Sequence, residues 1–406
     1  MKKILFSLLF IGFMFAQSNL GSIDGTVKMQ NEVIDNLSYG GDAALNIATG
    51  TVTGVRGVNV SGVAPGVQNV TSDIWDLADD SPTQSVWLAP TAARLHAVVS
   101  TDSTDAAAAS IFILSANITT TKTVTIDTKV YTFQGTLTDV DGNVHIGSDA
   151  SDTIDNFIAA INLTGTAGTD YALSMTAPAV TMLATVADGD TMNVYMDTDD
   201  TSIATTENDD NAAWTAATVV LGTGARTIQI WGLKTWATEE TSEVMYLRGV
   251  FPQNTDNSYV MINKMRVLTN GATNLNKGAI TATSASDSKV TAAILADQGK
   301  TQMAIYGIPS TQTAYVTGDW ASFNEAGGLV VYATVEILIN RHPDDEPTKF
   351  TSCHTLAIQS LGKSYIMHGH NPYHKVVGPA IIKLNAIGSA VDLAVSGGFG
   401  LYLVDN

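Results

Sequence analysis

The sequence predicts a mainly β protein, an antiparallel β-sandwich or jelly-roll-like domain that carries an inserted small α+β module. Only 15% of the residues are charged although 45% are hydrophobic, and such a composition supplies few of the charged side chains that cover helices. The 34 glycines suit many turns. Segments that alternate apolar and polar residues with a period of two recur in the second half of the chain.

The amino terminus has the pattern of a secretory signal peptide. Two lysines are followed by an apolar run over residues 4–15 and then by Ala16, which is a small residue of the kind that precedes cleavage. The run is shorter than a membrane-spanning helix requires. We therefore predict a signal-like segment over 1–16, with a buried hydrophobic arm as the alternative. Residues 17–116 have an irregular pattern and are predicted to form an amino-terminal β-rich arm.

Residues 117–207 are predicted to form the inserted module. Two alternating segments, 123–127 and 129–134, are separated by a tight polar turn, which indicates a β-hairpin. The pattern then changes to a helical one, in which four apolar residues share a face: Ile154, Phe157, Ile158 and Ile161. Either Ser148 or Ser151 is expected to cap the start of this helix.

Residues 208–406 are predicted to form the carboxy-terminal β-sandwich domain. In residues 329–340, five apolar residues fall on one face of a strand and polar ones on the other: Val331, Ala333, Val335, Ile337 and Ile339. Further strands are expected over 226–231, 243–247, 303–308, 314–320, 354–360, 380–384 and 393–403.

The formal charge of -19 comes from 39 acidic and 20 basic residues, and 31 of the acidic residues are Asp. Asp prefers turns to helix interiors, so the charge is expected on strand connections. A surface this acidic repels phosphate backbones and anionic lipids. The sequence therefore predicts no nucleic-acid partner.

No catalytic residue is predicted. The chain has no Gly-x-Ser-x-Gly elbow, no His-Glu-x-x-His motif and no phosphate loop. Its one cysteine, Cys353, is next to His354, but neighbouring strand residues point to opposite faces, so the two do not make a nucleophile and base pair. Nor does a lone cysteine form a disulfide within the chain. We expect a non-enzymatic protein that requires no cofactor.

The histidines suggest one metal site. Five of the seven lie in a short region: His342, His354, His368, His370 and His374. On an extended strand His368 and His370 point to the same side, and three copies around a symmetry axis would supply six nitrogen ligands. The alternative is an exposed loop with solvated histidines, which Gly369 and the Asn371-Pro372 pair favour.

Acidic clusters offer a second, weaker possibility. The oxygen-bearing residues alternate at Asp139, Asp141 and Asn143. The pair Asp188 and Asp190 is similar, as is the group of Asp197, Asp199 and Asp200. A Ca²⁺ ion suits such ligands, but no complete twelve-residue loop with a final Glu follows. Turn chemistry is the interpretation that the sequence favours.

Several stretches resemble phage virion proteins of the capsid-fibre or head-decoration type. They are residues 72–76 (SDIWD), 222–233 (GTGARTIQIWGL) and 396–406 (SGGFGLYLVDN). Three stretches of the module resemble a small domain inserted in phage tail and fibre proteins: 129–133 (KVYTF), 152–161 (DTIDNFIAAI) and 202–207 (SIATTE). The resemblance implies a virion-associated, oligomeric and non-catalytic protein, and it supplies no active-site residues.

The predicted function is that of a non-enzymatic virion structural protein, a capsid fibre, decoration or tail-associated component on the particle surface. Its expected partners are itself, as a homo-oligomer held by residues 217–406, other virion proteins and a host-surface receptor. The trimer number follows from the similarity to phage fibres. The alternative, favoured by residues 1–16, is a secreted adhesin or a surface-layer or filament-like protein.

Overall fold

The computed structural model describes residues 56–67, 71–75, 87, 92–272, 275–323, 331–359, 365–389 and 393–406. These residues contain twenty-five strands, numbered β1 to β25 in chain order, and one helix, α1. The predicted mainly β fold is thereby confirmed. The signal-like segment 1–16 and residues 17–55 of the predicted arm lie outside the described residues. In the part that is described, no helix is long and apolar enough to cross a membrane.

The chain divides into two compact units. The terminal unit comprises Met1–Val86, Trp236–Glu239 and Ala304–Asn406, and the central unit comprises Trp87–Thr235 and Glu240–Met303. The range predicted as one carboxy-terminal domain, 208–406, is thus shared between the units, while 117–207 lies within the central unit. Whether any predicted range folds on its own stays a prediction.

The terminal unit has two antiparallel sheets. Its strands are β1 (Arg56–Ala64), β2 (Ser72–Asp73), β19 (Ile305–Ile308), β20 (Gln312–Phe323), β21 (Tyr332–Asn340), β22 (Thr351–Gln359), β23 (Tyr365–Val377), β24 (Ala380–Gly388) and β25 (Val395–Asp405). One sheet has the order β1-β25-β20-β23, and the other has the order β19-β24-β21-β22, with β2 also paired to β24. Among the described strands, β22 and β23 each end their sheet.

These sheets face each other as in a β-sandwich. The five apolar residues predicted to share one face of β21 and its approach are buried, while Tyr332 between them is exposed. On β25, Gly397 leaves room for the facing sheet, because a Cβ at this position would lie 3.1 Å from Leu384 Cδ1 of β24. Apolar side chains of both sheets therefore form a common core.

The central unit contains the remaining elements. They are β3 (His96–Ser100), β4 (Ala108–Leu114), β5 (Thr123–Ile126), β6 (Lys129–Gln134), β7 (Asn143–His145), α1 (Ala150–Asn162), β8 (Met182–Asp188), β9 (Thr191–Met196), β10 (Thr205–Glu207), β11 (Ala212–Trp214), β12 (Val220–Leu221), β13 (Ala225–Leu233), β14 (Thr241–Tyr246), β15 (Gln253–Asn254), β16 (Met261–Asn270), β17 (Ile280–Ser284) and β18 (Val290–Ile294). Their sheets have the orders β10-β5-β6-β7, β11-β4-β9-β8, β14-β13-β16 and β15-β3-β17-β18.

The hairpin and the helix of the module occur where the sequence predicts them. Strands β5 and β6 pair antiparallel, and α1 buries Ile154, Phe157 and Ile161. The predicted serine caps were wrong. Asp149 has the extended backbone of a cap, and its side chain accepts a hydrogen bond from the Asp152 N–H, so a carboxylate satisfies the first turn.

The core around α1 extends beyond 117–207 at both ends. It begins at Ala108 in β4 and reaches Val219, just before β12. The Gly222 N–H then donates to the carbonyl of Ala106 at 3.1 Å, so the chain enters and leaves this core at one place. That arrangement is typical of an inserted unit, with bounds close to 106 and 222.

Candidate metal centre

Four potential metal ligands meet in the terminal unit: Asp319, His354, His368 and His370. One ligand atom from each lies within 4.8 Å of the others. Asp319 belongs to β20, His354 to β22, and His368 and His370 to β23. Imidazole nitrogens with a carboxylate oxygen are a ligand set that first-row transition metals accept. The two predicted metal ligands therefore lie together, beside two others that the sequence interpretation did not include.

A β-bulge directs Asp319 into this cluster. Two residue steps on β20, from Val316 to Gly318, match a single step on the neighbouring β25, from Leu401 to Gly400. The extra residue reverses the alternation of side chains, so that Val316 and Asp319 are both buried. Without it, the inward position would fall on Gly318.

Strand β23 brings two histidines beside Asp319. His368 is the direct cross-strand partner of Asp319, and His370 follows two residues later, on the same side of an extended strand. Close approach of the two strands needs glycine, because a Cβ on Gly318 would lie 2.7 Å from the His368 carbonyl oxygen. The loop predicted as the alternative for residues 369–372 is wrong, since they belong to β23, although His368 is 49% exposed.

His354 comes from the other sheet. On β22 it shares the inward phase of Leu356 and Ile358, which are buried, and its Nδ1 lies 3.0 Å from Asp319 Oδ2. Because β22 and β23 are the last strands of their sheets, the four side chains meet at one side of the sandwich. An ion at this place would contact both sheets.

The spacing of the ligand atoms fits one small cation. Asp319 oxygens lie 3.0 Å from His354 Nδ1, 3.9 Å from His368 Nδ1 and 3.2 Å from His370 Nε2. Bonds of about 2.1 Å in a tetrahedral zinc site place ligand atoms about 3.4 Å apart. The four ligand atoms lie within 4.8 Å of one another, so the more distant ones must move closer by up to about 1.4 Å to complete such a site.

The charge of Asp319 also calls for a cation. Burial acts to raise the pKa of its carboxyl, but the contacts with His370 and His354 outweigh burial and hold the pKa below its usual value. The side chain is only 2% exposed, and the ion pairs recorded for it among the described residues are with imidazoles alone. A buried carboxylate is costly without a full positive partner, and a divalent ion would provide one.

Two further side chains lie near the cluster. The ring of His374 is 6.3 Å from that of His370, and burial, followed by the neighbouring His370 and Arg341, lowers its pKa. Burial and then the Asp319 carboxylate raise the pKa of the Cys353 thiol to about 11. The thiol is therefore protonated at neutral pH.

The acidic clusters of the central unit bind protein groups instead of converging on a point. Asp139 accepts the Ser174 N–H at 2.7 Å, and Asp141 accepts the Thr176 N–H at 2.8 Å. Asp197 pairs with Arg248 at 2.8 Å. These partners are 35 or more positions away in the chain, so the carboxylates join distant segments, and the interpretation as turn chemistry stays a prediction.

The positions of Asp319 and His354 in the strand pattern could have identified them from the sequence. On β20, Asp319 lies four residues before Phe323, so the two side chains point to the same, apolar face. On β22, His354 points to the same face as Leu356 and Ile358. A polar residue on an apolar strand phase needs a partner, but the pattern alone does not show which strands face each other. No family model matches the chain, and no curated protein matches it.

Proposed function

We propose that this chain is a non-enzymatic structural protein whose terminal unit binds one divalent transition-metal ion, with Zn²⁺ as the first candidate. The observation that carries the proposal is that one chain supplies four ligands from both sheets of the sandwich. Four protein ligands fill a tetrahedral coordination sphere, as in structural zinc sites. The ion therefore holds the sheets together and has no open position for a substrate.

The proposed location is the surface of a bacteriophage particle, as a fibre, decoration or tail-associated component. Support comes from the resemblance of the stretches at 72–76, 222–233 and 396–406, together with the β-rich fold. The rival is a secreted surface protein, which the signal-like residues 1–16 support. Mass spectrometry of purified particles and of culture supernatant distinguishes the two, because it reports both the location and the mature amino terminus.

The same proposal includes a homotrimer. The number of metal ions bound per chain shows whether each chain has its own site or three chains share one. A His-x-His pair shared by three copies would bind one ion per three chains. The geometry within one chain supports one ion per chain. Light scattering gives the number of chains, and elemental analysis of the same sample gives the number of ions.

The direct test is calorimetric titration of chelator-treated full-length protein with Zn²⁺ and, separately, with Ca²⁺. We expect one Zn²⁺ per chain and no Ca²⁺ binding at this site, since Ca²⁺ requires oxygen ligands. His370→Ala should remove the binding, whereas His342→Ala, at an exposed histidine outside the cluster, should not. Equal zinc binding by both variants would refute the proposal.

A further inference from the structure

A buried lysine and aspartate face each other in the terminal unit. Lys383 Nζ lies 2.7 Å from Oδ1 of Asp73 and 2.9 Å from its Oδ2. The side chains are only 6% and 3% exposed. The two residues are 310 positions apart in the chain, and neither belongs to the metal centre.

Their surroundings are mostly apolar, and one contact favours the charged lysine. The ring of Phe350 lies 4.3 Å from Lys383 Nζ, a cation–π distance, and the neighbours Ile74 and Leu384 are completely buried. In a medium of low polarity, two ions lose much of their hydration, and how far their attraction offsets that loss depends on their geometry. Amide formation starts from a neutral amine and a neutral carboxylic acid, which transfer of one proton from the ammonium to the carboxylate would supply.

The distances are those of reacting groups. Because Nζ is within 2.9 Å of both carboxyl oxygens, it lies within about 3.3 Å of the carbon that joins them, which is close to a near-attack separation. Strand pairing holds this geometry, since Asp73 is in register with Asn385 on β24, two residues after Lys383. Both reactive side chains are therefore fixed by β-sheet backbone.

We propose that Lys383 and Asp73 form an intramolecular isopeptide bond. The amine lone pair of Lys383 attacks Cγ of Asp73, and the new C–N bond replaces one C–O bond. The proton transferred from the ammonium and a second proton from the attacking nitrogen leave on that oxygen as water. An ammonium and a carboxylate thus become an amide and one water molecule, with no oxidant or other reactant.

The bond explains how a very short strand secures the chain. Strand β2 has only two residues, and the single cysteine makes a disulfide within the chain impossible. An amide between β2 and β24 would close a covalent loop of more than three hundred residues. This inference does not depend on metal binding, so failure of either proposal leaves the other standing.

Intact-mass spectrometry of the natively folded full-length chain tests the proposal. We expect a mass lower by one water than the mass calculated from the mature amino terminus, which is read from a digest of the same sample. The digest should contain a branched peptide that joins Asp73 to Lys383. Chain isolated in denaturant without folding should retain the water, and should lose it after refolding.

Matched variants assign the bond. Lys383→Met removes the nucleophile at similar length and should restore the full calculated mass. Lys349→Met removes an exposed lysine that is paired with Glu346. This variant should still have a mass lower by one water than its calculated mass. If the folded wild-type chain has its full mass and both linear peptides are recovered quantitatively, the proposal is overturned, whether or not the Lys383 variant folds.

Discussion

His370 Nε2 and Asp319 Oδ1 lie 3.2 Å apart in the terminal unit, in a contact that lowers the pKa of the Asp319 carboxyl, although neither buried atom makes a well-aligned hydrogen bond. Leaving such a group unsatisfied costs about 1–3 kcal/mol, and more when the group is charged. A cation between the two atoms would satisfy both. Metal binding should therefore remove a local destabilisation as well as adding new bonds.

The four ligands should contribute unequally to zinc affinity. His370→Ala and Asp319→Asn remove the most buried ligands and should weaken binding by at least about 100-fold, more than is usual for groups that merely orient a ligand. His368→Ala should have a smaller effect, because His368 is 49% exposed and lies farthest from Asp319, at 3.9 Å. Competition with a chelator of known affinity measures the order. A larger effect at His368 than at His370 would contradict the assignment.

Two glycines beside the ligands provide a matched pair. A Cβ at Gly318 would press on the His368 carbonyl at 2.7 Å, whereas a Cβ at Gly369 would meet nothing within 4 Å. Gly318→Ala should therefore separate β20 from β23 and reduce zinc affinity about tenfold or more, since the ligands must hold their positions closely. Gly369→Ala should bind zinc almost as the wild type does. Equal affinities of the two variants in the titration would show that strand separation does not control the site.

The central unit should lose stability in mild acid because of His96. This side chain is completely buried, and burial lowers its pKa to about 4, although a contact with the Arg94 backbone acts to raise the pKa. An unfolded chain has a histidine pKa near 6.5, so between these values the unfolded state binds a proton that the folded state does not. The stability is complete above pH 6.5 and falls as the pH decreases, by about 2 kcal/mol at pH 5.

Urea midpoints at pH 7 and pH 5, measured on metal-free protein, test this statement. His96→Leu keeps most of the volume and should reduce the change in midpoint between the two pH values. His342→Leu, at an exposed position, serves as the control and should change as the wild type does. If His96→Leu shows the same acid sensitivity as the control, His96 is not the cause.

The inserted module should be removable at the bounds that the structure indicates. Replacing residues 107–221 by a short glycine linker removes the whole core around α1, and the ends at Ala106 and Gly222 already touch. We expect the remaining chain to keep its zinc binding and its β-type circular dichroism. Deletion of 117–207 alone would leave β4 without β9, its partner over six residue pairs, and should give less soluble protein. Equal solubility of the two deletions would contradict these bounds.

Local patterns predicted much of the fold and part of the site. The alternation at 329–340 and the hairpin at 123–134 depend on neighbours in the sequence, so they were readable directly. His368 and His370 are two residues apart, and their shared side followed from strand geometry. Asp319 and His354 join them only through a bulge at Val316 and through packing of two sheets. Both are long-range features that one sequence does not encode in any local period.

The N-cap of α1 shows a second limit of prediction from the sequence. Ser148, Asp149 and Ser151 are all good capping residues, and composition does not rank them. The choice of Asp149 depends on where the preceding chain turns, for the Gly147 N–H donates to the Thr153 hydroxyl at 2.8 Å. If the helix began one residue earlier, Ser148 would take the capping position that Asp149 has. Such boundaries are decided by contacts on both sides of the cap.

Within the part of the chain that the structure describes, strands β22 and β23 each present one backbone edge at the same side of the sandwich, and the histidine cluster lies between them. An unpaired edge is a template for strands of another molecule. An ion that fixes β22 against β23 would limit the twisting and separation that a foreign strand needs in order to insert. Loss of the ion would then favour polymerisation through added strands, so metal supply would govern whether the protein stays dispersed or grows into fibrils.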